Sequence, residues 1–551
     1  MDFHADAVVV GAGLAGLVAT YELTRAGRRV LVIEQESRAN LGGQAFWSLG
    51  GLFLVDSPEQ RRMGIRDSPE LAWQDWQGTA RFGDGDGWGR RWAEAYVDWA
   101  AGGKRDYLHG LGWRALPFVG WAERGDGSAT GHGNSVPRFH LTWGTGPRVV
   151  EIFAAPVLEA ERGGLVKFAF RHRVDALLTE GTDVVGVRGS VLADDPAPRA
   201  VASSREVVGE FEARGAAVVV TSGGIGGDLD AMREAWPVDR LGPAPRHLIS
   251  GVPAHVDGRL IGVAERAGAS VVNRDRLWAY TEGIHDWNPV WPHHGIRILP
   301  GPSSMWFDAT GRRLAGQSGV PGADTLGAMR QILATGFDHS WFVLTQTIIE
   351  KEFALSGSEQ NPDITGRDLG LLVRSRLAKG APGPVERFKE RGEDFVVADT
   401  LPQLVAGMNA ISRATPLDPA ALEAQIVARD REVANPFSKD IGVMMIHNAR
   451  RSRTDRLIRV APPHRILDPA HGPLIAVRLN ILSRKALGGI LTDLDSRVLR
   501  ADGAAVGGLF AAGEAAGFGG GGVHGQGALE GTFLGGCIFS GRAAGWAAAA
   551  G

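Results

Sequence analysis

Ala7-Val8-Val9-Val10 runs directly into Gly11-Ala12-Gly13-Leu14-Ala15-Gly16, and the same pattern continues through Arg29-Val30-Leu31-Val32-Ile33 to Glu34. The first apolar run is short and unbroken, as in a strand covered on both faces. Apolar residues at helical spacing follow from Leu14 to Arg25, and Gly27 offers a natural helix end. The second apolar run is another strand, so the stretch reads as a βαβ unit. G-x-G-x-x-G is a weak signal in a chain with 78 glycines. A strand before it, a helix after it and an acidic residue closing the second strand make it specific. The first glycine permits the turn, the second lets a pyrophosphate approach backbone N–H groups at the helix N-terminus, and the third allows helix and strand to pack closely. Glu34 is placed to accept hydrogen bonds from ribose hydroxyls, and its charge disfavours a 2′-phosphate.

Working outward, three more glycine clusters follow apolar runs: Gly42-Gly43 with Ser48-Leu49-Gly50-Gly51, then Val218-Val219-Val220-Thr221-Ser222-Gly223-Gly224, then Leu509-Phe510-Ala511-Ala512-Gly513-Glu514. A backbone-only loop after the second strand suits a dinucleotide extending toward an isoalloxazine ring. Gly224-Ile225-Gly226 begins a second fingerprint, but Leu229 stands where its third glycine belongs. The sequence therefore predicts one dinucleotide, FAD, and no NAD(P)H domain. The expected contacts begin with Gly11, Gly13, Leu14, Ala15 and Gly16, then Glu34 and Gln35. They continue through Gly42, Gly43, Gln44, Ser48, Gly50 and Gly51, then Val174, Thr221, Ser222 and Gly223. They end at Gly513 and Glu514 with Thr532, Phe533 and Leu534 at the last helix.

Residues 165 to 220 read as a β-rich excursion. From Arg274 to about Asp399 Pro-rich loops break the α/β rhythm, with an apparent hairpin around Asp308-Ala309-Thr310-Gly311. Ala420 to Val433 reads as an amphipathic helix, and the Gly-rich character returns from Pro473. The expected fold is α/β: a discontinuous Rossmann-type FAD-binding domain, residues 1–270 and 456–551, with an α+β cap or substrate domain inserted at 271–455. Lys+Arg 59 against Asp+Glu 62 gives a net charge of −3, which does not suggest a nucleic-acid partner. One cysteine, Cys537, cannot form an intrachain disulfide and fits a reducing compartment. No apolar run is long enough to span a bilayer and the N-terminal residues lack a basic leader, so the expectation is a cytoplasmic protein.

The chain resembles the flavoprotein superfamily of fumarate reductase and 3-ketosteroid Δ1-dehydrogenase over nearly its whole length. The resemblance rests on the clusters above and on His255-Val256-Asp257-Gly258 with Ala267-Gly268-Ala269. It also rests on Ser304 to Asp308 with Gly311-Arg312-Arg313, Gly472-Pro473, Leu487 to Ile490, and Gly522-Val523-His524-Gly525. It implies FAD, an inserted cap and redox chemistry at a C–C bond next to a carbonyl or carboxylate. The family's chemical groups do not carry over. Gly322 stands where a proton-donating Arg or a base Tyr is expected, Ile475 where an enol-stabilising Tyr is expected, and Ala528 where a fumarate-binding Arg is expected.

Candidate catalytic residues are therefore sought elsewhere. Tyr280, one of only four tyrosines, falls where the cap should begin. His293 lies in a loop rich in Trp and Pro, and His524 in the Gly-rich loop before the last helix. Each has an ordinary structural alternative in core, solvated loop or loop bracing. No metal is expected: His293 and His294 with nearby Asp286 are set aside because adjacent histidines point apart in extended chain. Trp47, Trp88, Trp92, Trp113, Trp121, Trp143, Trp278, Trp287, Trp291 and Trp306 suggest large apolar surfaces, in a pocket or in the core. The leading expectation is an FAD-dependent oxidoreductase acting on a small lipophilic ketone or acyl substrate, with an external electron acceptor or donor. The reverse ene-reductase reaction and a flavin-binding protein without turnover remain open, as does the oligomeric state.

Overall fold

The computed structural model describes residues 2–120, 134–377, 380–435 and 437–551. Trp121 lies outside the described residues. Val8, Val9, Val10, Val30, Leu31, Val32 and Ile33 are all buried, so each strand of the βαβ unit contributes apolar surface to both of its faces. The strands Ala7–Val10 and Val30–Glu34 pair in parallel, with Val8 opposite Leu31. They sit inside a six-stranded sheet ordered Arg497–Leu499, Ala505–Ala511, Ala217–Val220, Ala7–Val10, Val30–Glu34, Val166–Phe170. All its pairings are parallel except that of the edge strand Arg497–Leu499. The middle of this sheet thus comes from both ends of the chain.

The helix Leu14–Arg25 covers one face and packs against the last helix, Thr532–Ala550. Close approach is possible because Gly541 and Gly545 stand four residues apart on one helix side. A Cβ on Gly541 would lie 2.7 Å from the Ala15 carbonyl oxygen, and one on Gly545 would lie 2.8 Å from that of Ala19. On the other face lies a four-stranded sheet made of Asp2–His4, His172–Glu180, Asp183–Leu192 and Val207–Arg214. The expected β-rich excursion at 165 to 220 is thus divided: residues 172–214 form most of this sheet, while Val166–Phe170 and Ala217–Val220 belong to the six-stranded one.

A second, eight-stranded sheet is built around Leu474–Ala486, which pairs with His339–Thr345, Leu277–His285, Leu248–Ser250 and Phe395–Ala398. Met305–Asp308, Gly295–Leu299 and Ala354–Leu355 complete it. Its long central strand is almost entirely buried, with Trp306, Phe342 and Ile475 in one apolar cluster and Phe307, Trp341 and Ala476 in another. The sheet takes strands from both sides of the expected limits of 271 and 455. Leu248–Ser250 joins it before residue 271, and Leu474–Ala486 is its centre although it follows 456. The expected hairpin at Asp308–Gly311 is present: Phe307 bridges Arg313 antiparallel, Asp308 N donates to Arg312 O at 2.8 Å and Leu314 N to Trp306 O at 2.9 Å, and Asp308 Oδ1 closes the turn by accepting from Thr310 N at 2.8 Å and Arg312 N at 3.1 Å. The amphipathic segment expected from Ala420 is the helix Pro419–Glu432. Among the described residues, no helix is long and apolar enough to cross a membrane.

Candidate active site

Where the six-stranded sheet meets the second sheet, a long cavity opens, with about 1710 Å³ of empty space including its mouth. Gly11 turns the chain at its start with φ +105°, and a Cβ there would lie 2.6 Å from the Thr221 carbonyl oxygen. A Cβ on Gly13 would meet no protein atom within 4 Å, since this glycine faces the open cavity. Gly16 does not line the cavity. Its Cβ would lie 2.0 Å from the Gly11 carbonyl oxygen, so its smallness serves helix–strand packing. Gly42, with φ +94°, carries the next loop over Val150.

Glu34 is half-buried at the end of its strand. Its Oε2 accepts from Ala12 N at 2.8 Å and its Oε1 from Glu36 N at 3.0 Å. Burial pushes this carboxyl up while those N–H groups pull it down. Each oxygen keeps a second lone pair for a ribose hydroxyl. Beyond it the cavity is walled by Gln35, Val174, His255, Asp257 and Leu260. Its middle runs past Leu14, Ala15, Gly43, Gln44, Ser48, Gly50, Gly51, Thr221, Ser222 and Gly223 to Gly513, Glu514, Phe533 and Leu534. Gln44 Nε2 donates to Glu514 Oε2 at 2.5 Å, and Glu514 Oε1 accepts from Ala486 N at 2.9 Å. Lys485 bonds Gln44 and stands 3.7 Å from Glu514; burial pushes its ammonium down and Glu514 opposes that shift. Cys537 also reaches the wall, but burial raises its thiol to about 12, so it is no thiolate.

At the far end stand Tyr280, Arg297 and Glu530. The Tyr280 hydroxyl donates to Glu530 Oε1 at 2.5 Å. The Arg297 guanidinium carbon lies 3.7 Å from the centre of the Tyr280 ring, and Nη1 is 3.6 Å from Glu530. Behind Arg297, 3.7 Å from Nε, is the fully buried Glu282, whose carboxyl burial pushes up and Arg297 pulls down. Phe139, Phe518 and Phe533 supply the aromatic wall. None of the described tryptophans lines the cavity; Trp92, Trp113, Trp278 and Trp306 are core residues.

Two expected catalytic residues are displaced from the cavity. His293 is exposed in a left-handed turn at φ +57°, with its carbonyl accepting from Ser250 N, and its side chain is not part of the wall. Its neighbour His294 is buried against Trp291 and pushed down to about 3. His524 is buried behind the wall, stacked on Trp76 at 8° and 5.8 Å. Its Nε2 shares a 2.8 Å hydrogen bond with Thr532 Oγ1, and burial lowers it to about 3, so it braces Phe518 and Phe533 rather than exchanging protons. Thr532 likewise turns away from the cavity, its hydroxyl donating to Leu529 O. Elsewhere His285, Glu393 and Asp394 bring ligand atoms within 4.8 Å of one another, but the Arg478 guanidinium already pairs with both carboxylates.

The cavity has the length, the glycine-walled middle and the helix N-terminus that a dinucleotide needs, and the buried Ser222 hydroxyl facing it has no hydrogen-bond partner among the described residues. Fold and site together define a flavin-dinucleotide oxidoreductase. The chain belongs to the FAD-binding domain family, whose model matches residues 6–534. It is an FAD-dependent dehydrogenase. A KsdD-like steroid dehydrogenase of Mycolicibacterium smegmatis is 62% identical over 531 residues, 96% of each chain. Another, of Mycobacterium tuberculosis (strain CDC 1551 / Oshkosh), is 61% identical over 546 residues, 99% of this chain and 96% of the relative. In fold it is similar to the 3-ketosteroid Δ1-dehydrogenase of Sterolibacterium denitrificans crystallised with 1,4-androstadiene-3,17-dione, with TM-score 0.69, 15% identity and 99% of both chains covered.

Proposed function

We propose that this enzyme oxidises a C–C bond next to the carbonyl of a lipophilic, steroid-like ketone in the cytoplasm and passes the electrons to an external acceptor. In this reading the six-stranded sheet and its helices form a Rossmann-type FAD-binding domain, and the eight-stranded sheet is the core of an inserted cap that carries the substrate end of the cavity. The steroid dehydrogenases at 61% and 62% identity support the substrate class. The observation that carries the reading is the convergence of Tyr280, Arg297 and Glu530 at the end of the cavity that begins with the Gly11–Gly16 loop.

FAD, when bound, supplies the two-electron acceptor. Backbone N–H groups of Leu14 and Ala15 would face its pyrophosphate, Glu34 its ribose, and Gln44 and Glu514 its ribityl chain. Removing two hydrogens across a C–C bond also releases a proton, which needs a positioned base. The Tyr280 oxygen takes that proton from the carbon beside the carbonyl while its own phenolic proton passes to Glu530 Oε1, 2.5 Å away. Arg297, over the ring face, offsets the negative charge shared by phenol and carboxylate. Glu282 is a positioning residue that fixes Arg297 from behind. Phe139, Phe518 and Phe533 present an apolar wall that excludes water and suits a flat hydrocarbon skeleton. Ile475 and Ala528 are buried in core clusters and Gly322 has no side chain, so the acid–base work falls to the Tyr280 group. The same atoms serve the reverse reduction.

The test is anaerobic mixing of the holoenzyme with 3-ketosteroids, enoates and dicarboxylates, followed by oxidised-flavin absorbance. Bleaching by 3-ketosteroids is expected, with Glu530→Gln slowing it at unchanged FAD content. Reoxidation of pre-reduced enzyme by enoates alone would establish the ene-reductase. Inertness toward the whole panel in both directions would leave a flavin-binding protein without turnover.

A further inference from the structure

We propose that the face formed by residues 437–459 docks the protein on an anionic lipid surface. Two consecutive helices, Ile441–Ala449 and Arg453–Ile458, leave large apolar side chains in solvent. Phe437 is 86% exposed, Leu457 59%, Met444 53%, Ile458 45% and Ile441 40%. Soluble proteins seldom leave such a cluster uncovered without a partner. Ile441 and Met444, three residues apart, share the outer side of the first helix, while Val443 and Ile446 on its inner side are buried. Between Phe437 and Arg459 the sequence has six Lys or Arg against two Asp, in a chain whose net charge is −3.

The charge is available. Arg451, Arg453 and Arg456 are exposed, and among the described residues no carboxylate comes within ion-pair distance of any of them. Of the two acids, Asp440 is taken by Arg313 and Asp455 is half-buried. Apolar side chains bordered by unpaired arginines match the boundary of an anionic bilayer, where tails accept the former and headgroups the latter. The face also adjoins the cavity. Arg459 Nη2 donates to Leu299 O at 2.7 Å, and Leu299 lines the cavity two residues from Arg297. Lys351 Nζ donates to Leu457 O at 2.8 Å. A bilayer-dissolved ketone would therefore enter beside the Tyr280 group. That consequence rests on the proposed function, whereas docking itself does not.

The experiment is co-sedimentation of the full-length holoenzyme with vesicles of phosphatidylcholine alone or mixed with phosphatidylglycerol. Binding to the mixed vesicles is expected, with release at about 0.5 M salt, where screening shortens the reach of surface charge. The triple variant R451E/R453E/R456E should lose at least about 100-fold in partitioning, since each arginine near an anionic surface contributes about fivefold. F437S/M444S should lose at least about tenfold and keep its flavin content, and it carries the test with the salt titration if the charge variant does not fold. A parent that stays in the supernatant with mixed vesicles, or salt-insensitive binding equal in all variants, would overturn the proposal. So would a dimer, seen by light scattering, that F437S/M444S dissociates, because the face would then be covered by a second copy.

Discussion

At the Gly11 end of the cavity the wall is backbone; at the Tyr280 end it is side chain. Gly11 is fixed by its own φ and by the Thr221 carbonyl 2.6 Å from where a Cβ would stand, and Gly13 matters for what it leaves open. Tyr280, Arg297 and Glu530 come instead from two strands of the second sheet and the turn before the last helix, with Tyr280 and Glu530 250 residues apart. A site made by local chain geometry tolerates almost no change at a few neighbouring positions. A site made by converging side chains depends on the whole fold to bring them together, yet single groups can be removed without disturbing the frame.

The sharpest attempt to break that contrast is Gly11→Val. A branched side chain at φ +105° against the Thr221 carbonyl should leave protein with essentially no FAD, read as flavin per chain after purification. A yellow variant with stoichiometric FAD would mean the backbone end is less constrained than described. Next in size is Tyr280→Phe, which removes one hydroxyl and leaves the ring beneath Arg297. Turnover should fall about 100- to 10,000-fold at unchanged FAD content, the usual range for a lost acid–base group. If kcat is retained, the proton leaves by another route.

A smaller effect concerns His524 behind the wall. Its buried imidazole is pushed down from 6.5 to about 3, so between those values the unfolded chain takes up a proton that the folded chain refuses. Its contribution to stability is intact above about pH 6.5 and is lost as pH falls, by about 2 kcal/mol at pH 5. His524→Gln should therefore lower stability at pH 7 but show a shallower drop in unfolding midpoint from pH 7 to pH 5. Equal drops in parent and variant would remove His524 from the acid response. Smallest of all, His293→Ala should leave kcat, KM and FAD content within about twofold, because its side chain is exposed and outside the cavity.

The two ends also differed in how much could be read from residues alone. The strands Ala7–Val10 and Val30–Glu34, the helix between them and the glycines of the loop follow from short apolar runs and a fixed spacing, since the conformations involved are local. Tyr280 stood out through scarcity. Arg297 left one trace, a charge inside the otherwise apolar Gly295–Leu299, and Glu530 left none beyond its place next to a glycine. His293 and His524 attracted attention because their ordinary pKa suits catalysis, but burial and direction decide their roles, and neither is encoded nearby. The sheet that Leu474–Ala486 joins was hard to read for a related reason. Leu474–Ala486 is covered on both faces, so its apolar run looks like a parallel strand of the first sheet although it forms antiparallel pairs in the second.

The pairing of the first helix with the last, glycine against alanine, has a consequence for the order of events during synthesis. Residues 7–34 are made well before the strand Ala505–Ala511 and the helix Thr532–Ala550 that complete their layer. The early βαβ segment must wait through some five hundred residues with its helix face bare. A nascent chain stalled before residue 505 would present that apolar face to chaperones.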